Sequence, residues 1–190
     1  GAATGNPSSG WDYVQAITAD GSGIYVAGYD MSPGNSQWRI EKRDLITGAL
    51  IPAFGTGGVV TGNPSVGTDQ AQAITADASG IYVAGFDAIP GGIAYEWRIE
   101  KYNKTTGALL WTQTSDPSAS TDRAFAITAD ASGIYVAGAD DQNGPSNNEW
   151  RIEKRDLATG ALDATFGGGT GVINSDPSWL NEYIEAIIAD

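Results

Sequence analysis

Apolar positions in this chain fall in short alternating runs, and no stretch sustains the 3.6-residue spacing of an amphipathic helix. One set of runs is written three times. The middle copy reads AQAITADASGIYVAGFD, then a loop, then EWRIEKYNKTTGALLWTQT. Tyr25, Tyr82 and Tyr135 are equivalent at intervals of 57 and 53, and Trp38, Trp97 and Trp150 at 59 and 53, so the differences in length lie in loops. A repeat of about 50–60 residues points to propellers and related arrays. The middle copy predicts four strands, at residues 71–77, Ile81–Phe86, Trp97–Tyr102 and Ala108–Thr112. Asp77-Ala78-Ser79-Gly80 is a tight turn between the first two, and Thr106-Gly107 turns the chain into the fourth. Asp20, Asp77, Asp130 and Asp190 recur at that first turn, where a carboxylate bonds its own backbone. No helix longer than a turn is predicted.

In the third run, Trp38 and Ile40 share one face and Arg39 and Glu41 the other. The charged pair returns as Arg98/Glu100 and Arg151/Glu153. Where sheets stack on both faces, such charges are partly buried and need partners, because an unpaired buried charge is costly. Trp38, Trp97 and Trp150 are expected to pack between sheets, each burial worth about 4–6 kcal/mol at most.

The expected architecture is all-β: a β-propeller of four-stranded antiparallel blades, about three per chain plus one extra strand. It forms a single domain over residues 1–190, with blades near 14–62, 69–112 and 124–173 and the first strand of a fourth at 183–190. Propellers typically close with four to eight blades. The reading therefore expects self-association, as a two-chain ring or as a polymer in which 183–190 adds a strand to a neighbour, or else the remainder of a longer parent chain. Residues 5–20 mirror 62–77, so the chain starts and stops within a repeat, and a processed product or a portion of a longer protein is expected.

The run from Tyr102 to Trp111, YNKTTGALLW, resembles the tryptophan-docking motif of the PQQ-like β-propeller repeat. Asp44–Leu50 followed by Phe54, and Asp156–Leu162 followed by Phe166, keep the Thr-Gly turn with Phe near the Trp position. With FGTGGVV and FGGGTGV they also resemble the short delta-60 type of propeller repeat. The resemblance implies the propeller fold, with Trp111 docking one blade on the next. It does not imply quinoprotein chemistry. Those dehydrogenases hold PQQ with calcium, an acidic catalytic residue and often a vicinal disulfide in an eight-bladed ring, whereas this chain has no cysteine and too few blades.

Composition narrows the functions further. Ten basic residues against 23 acidic give a net charge of −13, which argues against a nucleic-acid backbone as partner. The absence of histidine removes a Ser-His-Asp triad and the usual zinc ligand. No apolar run reaches the roughly 18–20 residues that span a bilayer, so no membrane span is expected. No catalytic or cofactor-binding residue is assigned, and no cofactor is predicted apart from calcium as a weak candidate. Its oxygen ligands would be Asp140, Asp141, Asn143 and Asn148, with Asp69, Asp116, Asp122, Asp176 and Glu182 in similar loops, although EF-hand spacing is missing. Trp11, Tyr95 and Trp179 do not recur and are the candidates for contacting a protein or glycan from a loop. Asn103-Lys104-Thr105 fits a glycosylation acceptor on a turn. The expected function is a non-enzymatic extracellular or cell-surface module for scaffolding, adhesion or assembly. The alternatives are a carboxylate-dependent glycan hydrolase or lyase and a self-assembling filament subunit.

Overall fold

The computed structural model describes residues 2–89, 91, 94–142, 147–178 and 181–189. Twelve strands form three four-stranded sheets. The first holds β1 (Tyr13–Asp20), β2 (Gly23–Asp30), β3 (Gln37–Arg43) and β4 (Val59–Gly62). The second holds β5 (Gln70–Ala76), β6 (Ile81–Ala88), β7 (Tyr95–Tyr102) and β8 (Leu109–Ser115). The third holds β9 (Arg123–Asp130), β10 (Gly133–Asp140), β11 (Glu149–Arg155) and β12 (Val172–Ser175). Every sheet is antiparallel in chain order. A 3-10 turn at Gly167–Gly169 is the only helical element among the described residues, and no helix there is long and apolar enough to cross a membrane.

Local chemistry accounts for the hairpins. Asp20, Asp77 and Asp130 each accept the backbone N–H two residues on, at 2.7 Å, and so close the β1–β2, β5–β6 and β9–β10 turns. Asp190 lies outside the described residues. Each first strand bulges at one residue, Gln15, Gln72 or Phe125. A glycine faces each bulge, and at Gly85 a Cβ would lie 2.0 Å from the Gln70 carbonyl oxygen.

The sheets stack in order through the same faces. Tyr25, Trp38, Ile40 and Phe54 of the first pack on Ile74, Ile81 and Val83 of the second. Tyr82, Trp97 and Ile99 of the second pack on Ile127, Ile134 and Val136 of the third. Strand β6 is buried at every residue because both faces of its sheet are covered, whereas β2 alternates. Phe54, Trp111 and Phe166 lie against Tyr25, Tyr82 and Tyr135 at ring separations of 6.4, 6.2 and 6.2 Å. The Phe residues therefore fill the place of the Trp, from longer connections between third and fourth strands.

Two expectations change. Tyr95 is a strand residue paired with Ala88, because the β6–β7 hairpin runs further than its sequence pattern indicates. Its ring packs on Phe86 at 4.9 Å and under the Arg123 guanidinium at 4.7 Å. The extra strand at 183–190 is not formed among residues 181–189. The segment still enters along the path of a first strand. Glu182 N–H donates to Asn148 O at 3.1 Å, as Asp69 does to Ser36 at 3.1 Å and Asp122 to Tyr95 at 2.9 Å. Among the described residues no second strand pairs with it.

Candidate functional site

The recurrent Arg–Glu pairs belong to longer charged ladders, one per sheet. In the first, Arg39 bridges Asp30 (3.3 Å) and Glu41 (2.8 Å), and Glu41 also takes Arg43 (2.6 Å). In the third, Arg151 bridges Asp140 (3.5 Å) and Glu153 (2.8 Å), and Glu153 accepts Arg155 Nε at 2.8 Å. The middle ladder runs Asp87, Arg98, Glu100, with 2.9 and 2.6 Å contacts, and ends on the Tyr102 hydroxyl, which donates to Glu100. Residues two apart on a strand share a face, so three alternate positions of the third strand plus the end of the second build each ladder. The aspartates were legible in the repeats ending GYD, GFD and GAD, but only the pairing register places them beside Arg.

The three aspartates differ electrostatically. Burial, with the Asp69 charge adding to it, raises Asp87 to about 7 despite Arg98. Burial and the Asp122 charge raise Asp140 to about 7. Asp30 is also desolvated, but hydrogen bonds from Gln37, Ser32 and Arg39 outweigh that and hold it below the usual carboxylate range. One oxygen of Asp87 lacks a hydrogen-bond partner, while Asp140 has Arg151 at 3.5 Å and the Gln142 backbone beside it.

The second and third ladders are each contacted by the sheet before them. Trp38 Nε1 donates to Phe86 O (3.3 Å) and Trp97 Nε1 to Ala139 O (3.0 Å). Arg98 lies over the Trp38 ring at 6.0 Å and Arg151 over Trp97 at 5.9 Å. Lys42 Nζ donates to Lys104 O (2.7 Å) and Lys101 Nζ to Leu157 O (2.8 Å). Ser115 Oγ donates to Glu153 at 2.8 Å. These cross-sheet contacts were not foreseen from the sequence, although Lys42, Lys101 and Lys154 recur.

The outer sheets each leave one face open. On the leading face of the first sheet, Val14 is 69 % and Ile17 66 % exposed, while their equivalents Ala71, Ile74, Ala124 and Ile127 are buried. A depression of about 410 Å³ lies there, lined in part by Val14, Ile17, Val26, Arg39 and Glu41. On the trailing face of the third sheet, Trp150 is 38 % exposed, against 1 % and 0 % for Trp38 and Trp97. Trp150 therefore does not sit between two sheets as expected, because no sheet follows it among the described residues.

The calcium candidates do not converge. Asp140 faces Arg151, and Asp141 accepts the Ser120 hydroxyl while its N–H donates to Asp122 at 2.9 Å. Asn148 uses its backbone on Asn181 and Glu182, and Asn143 lies outside the described residues. Among the described residues no group of three or more acidic ligands is placed to hold a metal. Asp69, Asp122 and Glu182 are structural. Each accepts the hydroxyl of a serine four residues before it, Ser65, Ser118 and Ser178, and Asp12 does the same with Ser8. The sequence held this staple as four Pro-Ser-x-x-x-acid runs. Trp11 is 75 % exposed, Trp179 lies outside the described residues, and Trp111 is half-buried against Tyr82.

The bulged residues of the first strands lie close together. Gln15, Gln72 and Phe125, with Tyr183 and Glu185, line a shallow depression of about 380 Å³. Glu185 is the one carboxylate in that lining. No protein-family model matches the chain, and no curated protein matches it in sequence.

Proposed function

We propose that the chain is a β-propeller module without catalytic activity, working at the cell surface or outside the cell as a scaffold for assembly. The observation that carries this reading is the fate of the charged groups. The recurrent acids are engaged by Arg, Lys, Ser or backbone donors that hold sheets and turns together, and the depression beside the first strands has Glu185 as the one carboxylate among its described lining residues. Hydrolysis or elimination of a glycan by carboxylates needs two acids flanking one bond. The successive stacking of four-stranded meanders through equivalent faces supports the propeller arrangement. The open faces of the outer sheets, apolar at Val14, Ile17 and Trp150, are where a partner would be held.

The test is an assay of the chain and a Glu185→Gln variant for release of reducing ends or unsaturated products from a panel of acidic and neutral polysaccharides. The reading expects no turnover by either protein. Turnover by the wild type that the variant loses, with its circular dichroism unchanged, would overturn it.

A further inference from the structure

The two open faces are the two halves of an interface that the chain already makes twice. The trailing faces of the first and second sheets present Trp, Ile, Lys and an aromatic below the Thr-Gly turn. The leading faces of the second and third present an Arg over which the Trp lies, and two carbonyls that take the Trp and Lys donors. The third sheet repeats the first set as Trp150, Ile152, Lys154 and Phe166, and the first sheet repeats the second set as Arg39 and the carbonyls of Tyr29 and Leu45. Lys154 meets Asp163 at 3.0 Å, at a position where the first repeat has Ile51.

We propose that the partner of this module is a second copy of the same chain, with the third sheet of one copy docked on the first sheet of the other. This rests on the module reading above and names the partner that reading leaves open. Equivalence fixes the contacts. Trp150 Nε1 donates to the Tyr29 carbonyl of the other copy with its ring against Arg39, Lys154 Nζ donates to the Leu45 carbonyl, and Ser175 donates to Glu41 as Ser115 does to Glu153. Val14 and Ile17, exposed in a lone chain, gain the cover that Ala71 and Ile74 have. Trp150 meets a guanidinium in this arrangement, as Trp38 and Trp97 do within the chain. The contact is heterologous, so two copies that dock reciprocally satisfy both faces and close.

Two segments hold these places in the lone chain. Residues 3–7 lie along the leading face of the first sheet beside Tyr13, Val14 and Arg43. At the third sheet, Glu182 N–H donates to Asn148 O and Tyr183 lies against Phe125 at 6.1 Å. Neither belongs to a strand, so an incoming sheet, with its full ladder and apolar face, displaces them.

The experiment is light scattering and sedimentation equilibrium of the full chain across a range of concentrations. The comparison set is Trp150→Ala, Ile17→Asp, an equimolar mixture of those two variants, and a chain lacking 181–190. The expected wild-type mass is twice the 19.7 kDa chain mass. Each single variant should associate about 30-fold more weakly or worse, as truncation of an interface anchor does. The mixture should regain a pair, since each variant keeps the face the other lost, and the truncated chain should associate more tightly. Both substituted residues are exposed, and circular dichroism checks that the variants fold. A wild type that stays monomeric, or association untouched by both substitutions, overturns the proposal. So does association lost on removing 181–190, which would make that segment the contact. None of these results creates glycan turnover, so failure here is distinct from failure of the non-catalytic reading.

Discussion

Trp97 and Trp150 occupy the same position in equivalent strands, so replacing each with Ala isolates what a covering sheet contributes. Trp97 is fully buried, its Nε1 donates to Ala139 O at 3.0 Å, and Arg151 lies on its ring at 5.9 Å. Its removal forfeits about 4–6 kcal/mol of apolar burial by area, in line with the roughly 3–5 kcal/mol measured for such truncations. It also removes the indole N–H donated to the Ala139 carbonyl, at a cost of about 1 kcal/mol. Trp150 is 38 % exposed, so the same area argument leaves it about 2–4 kcal/mol. The expected gap is therefore about 2–3 kcal/mol. Urea unfolding followed by circular dichroism measures it, at a protein concentration low enough that the chain is a monomer and with the m-value checked for constancy. Equal losses for the two variants under those conditions would refute the claim that stacking of the next sheet, rather than the Trp within its own sheet, supplies the difference.

The other predictions concern the ladders and the bulge. Glu153→Ala strands Arg151 and Arg155 in a closed interface and should cost about 3–5 kcal/mol, whereas Glu41→Ala, on the open face, should cost clearly less by the same urea assay. Asp87 and Asp140 have folded pKa values raised from 3.8 to about 7, so the stability linked to them is full below pH 3.8 and falls as pH rises through 7. The urea midpoint should therefore drop between about pH 4 and 7 and level off above that, and the double variant Asp87→Asn/Asp140→Asn should flatten that slope; an unchanged slope would contradict the assignment. Gly85→Ala places a Cβ on the Gln70 carbonyl and should destabilise by about 3 kcal/mol or more, read as a fall in melting temperature.

Much of the fold was legible because its determinants are local. The Asp-x-Ser-Gly turns, the alternation of Trp38-Arg39-Ile40-Glu41 and the exchange of Trp111 for Phe54 and Phe166 all lie within a few residues of what they control. The candidate calcium ligands misled because adjacency in sequence is not convergence in space. Asp140 and Asp141 follow one another in the chain, yet one meets Arg151 and the other Ser120. Tyr95 misled because a hairpin extends as far as cross-strand pairs favour, and Ala88 opposite Tyr95 is set by register, not by the loop composition.

Sequence alone determined the strand content, the repeat, the turn chemistry and the excluded chemistries, since periodicity, glycine conformation and the absence of histidine or cysteine need no partner to act. Only the tertiary structure decided which of three identical-looking residues is covered. Trp38, Trp97 and Trp150, like Ile17, Ile74 and Ile127, read alike in the chain, yet their burial depends on whether another sheet lies against them. Burial is a property of the neighbour, and the neighbour is set by the order in which whole sheets stack.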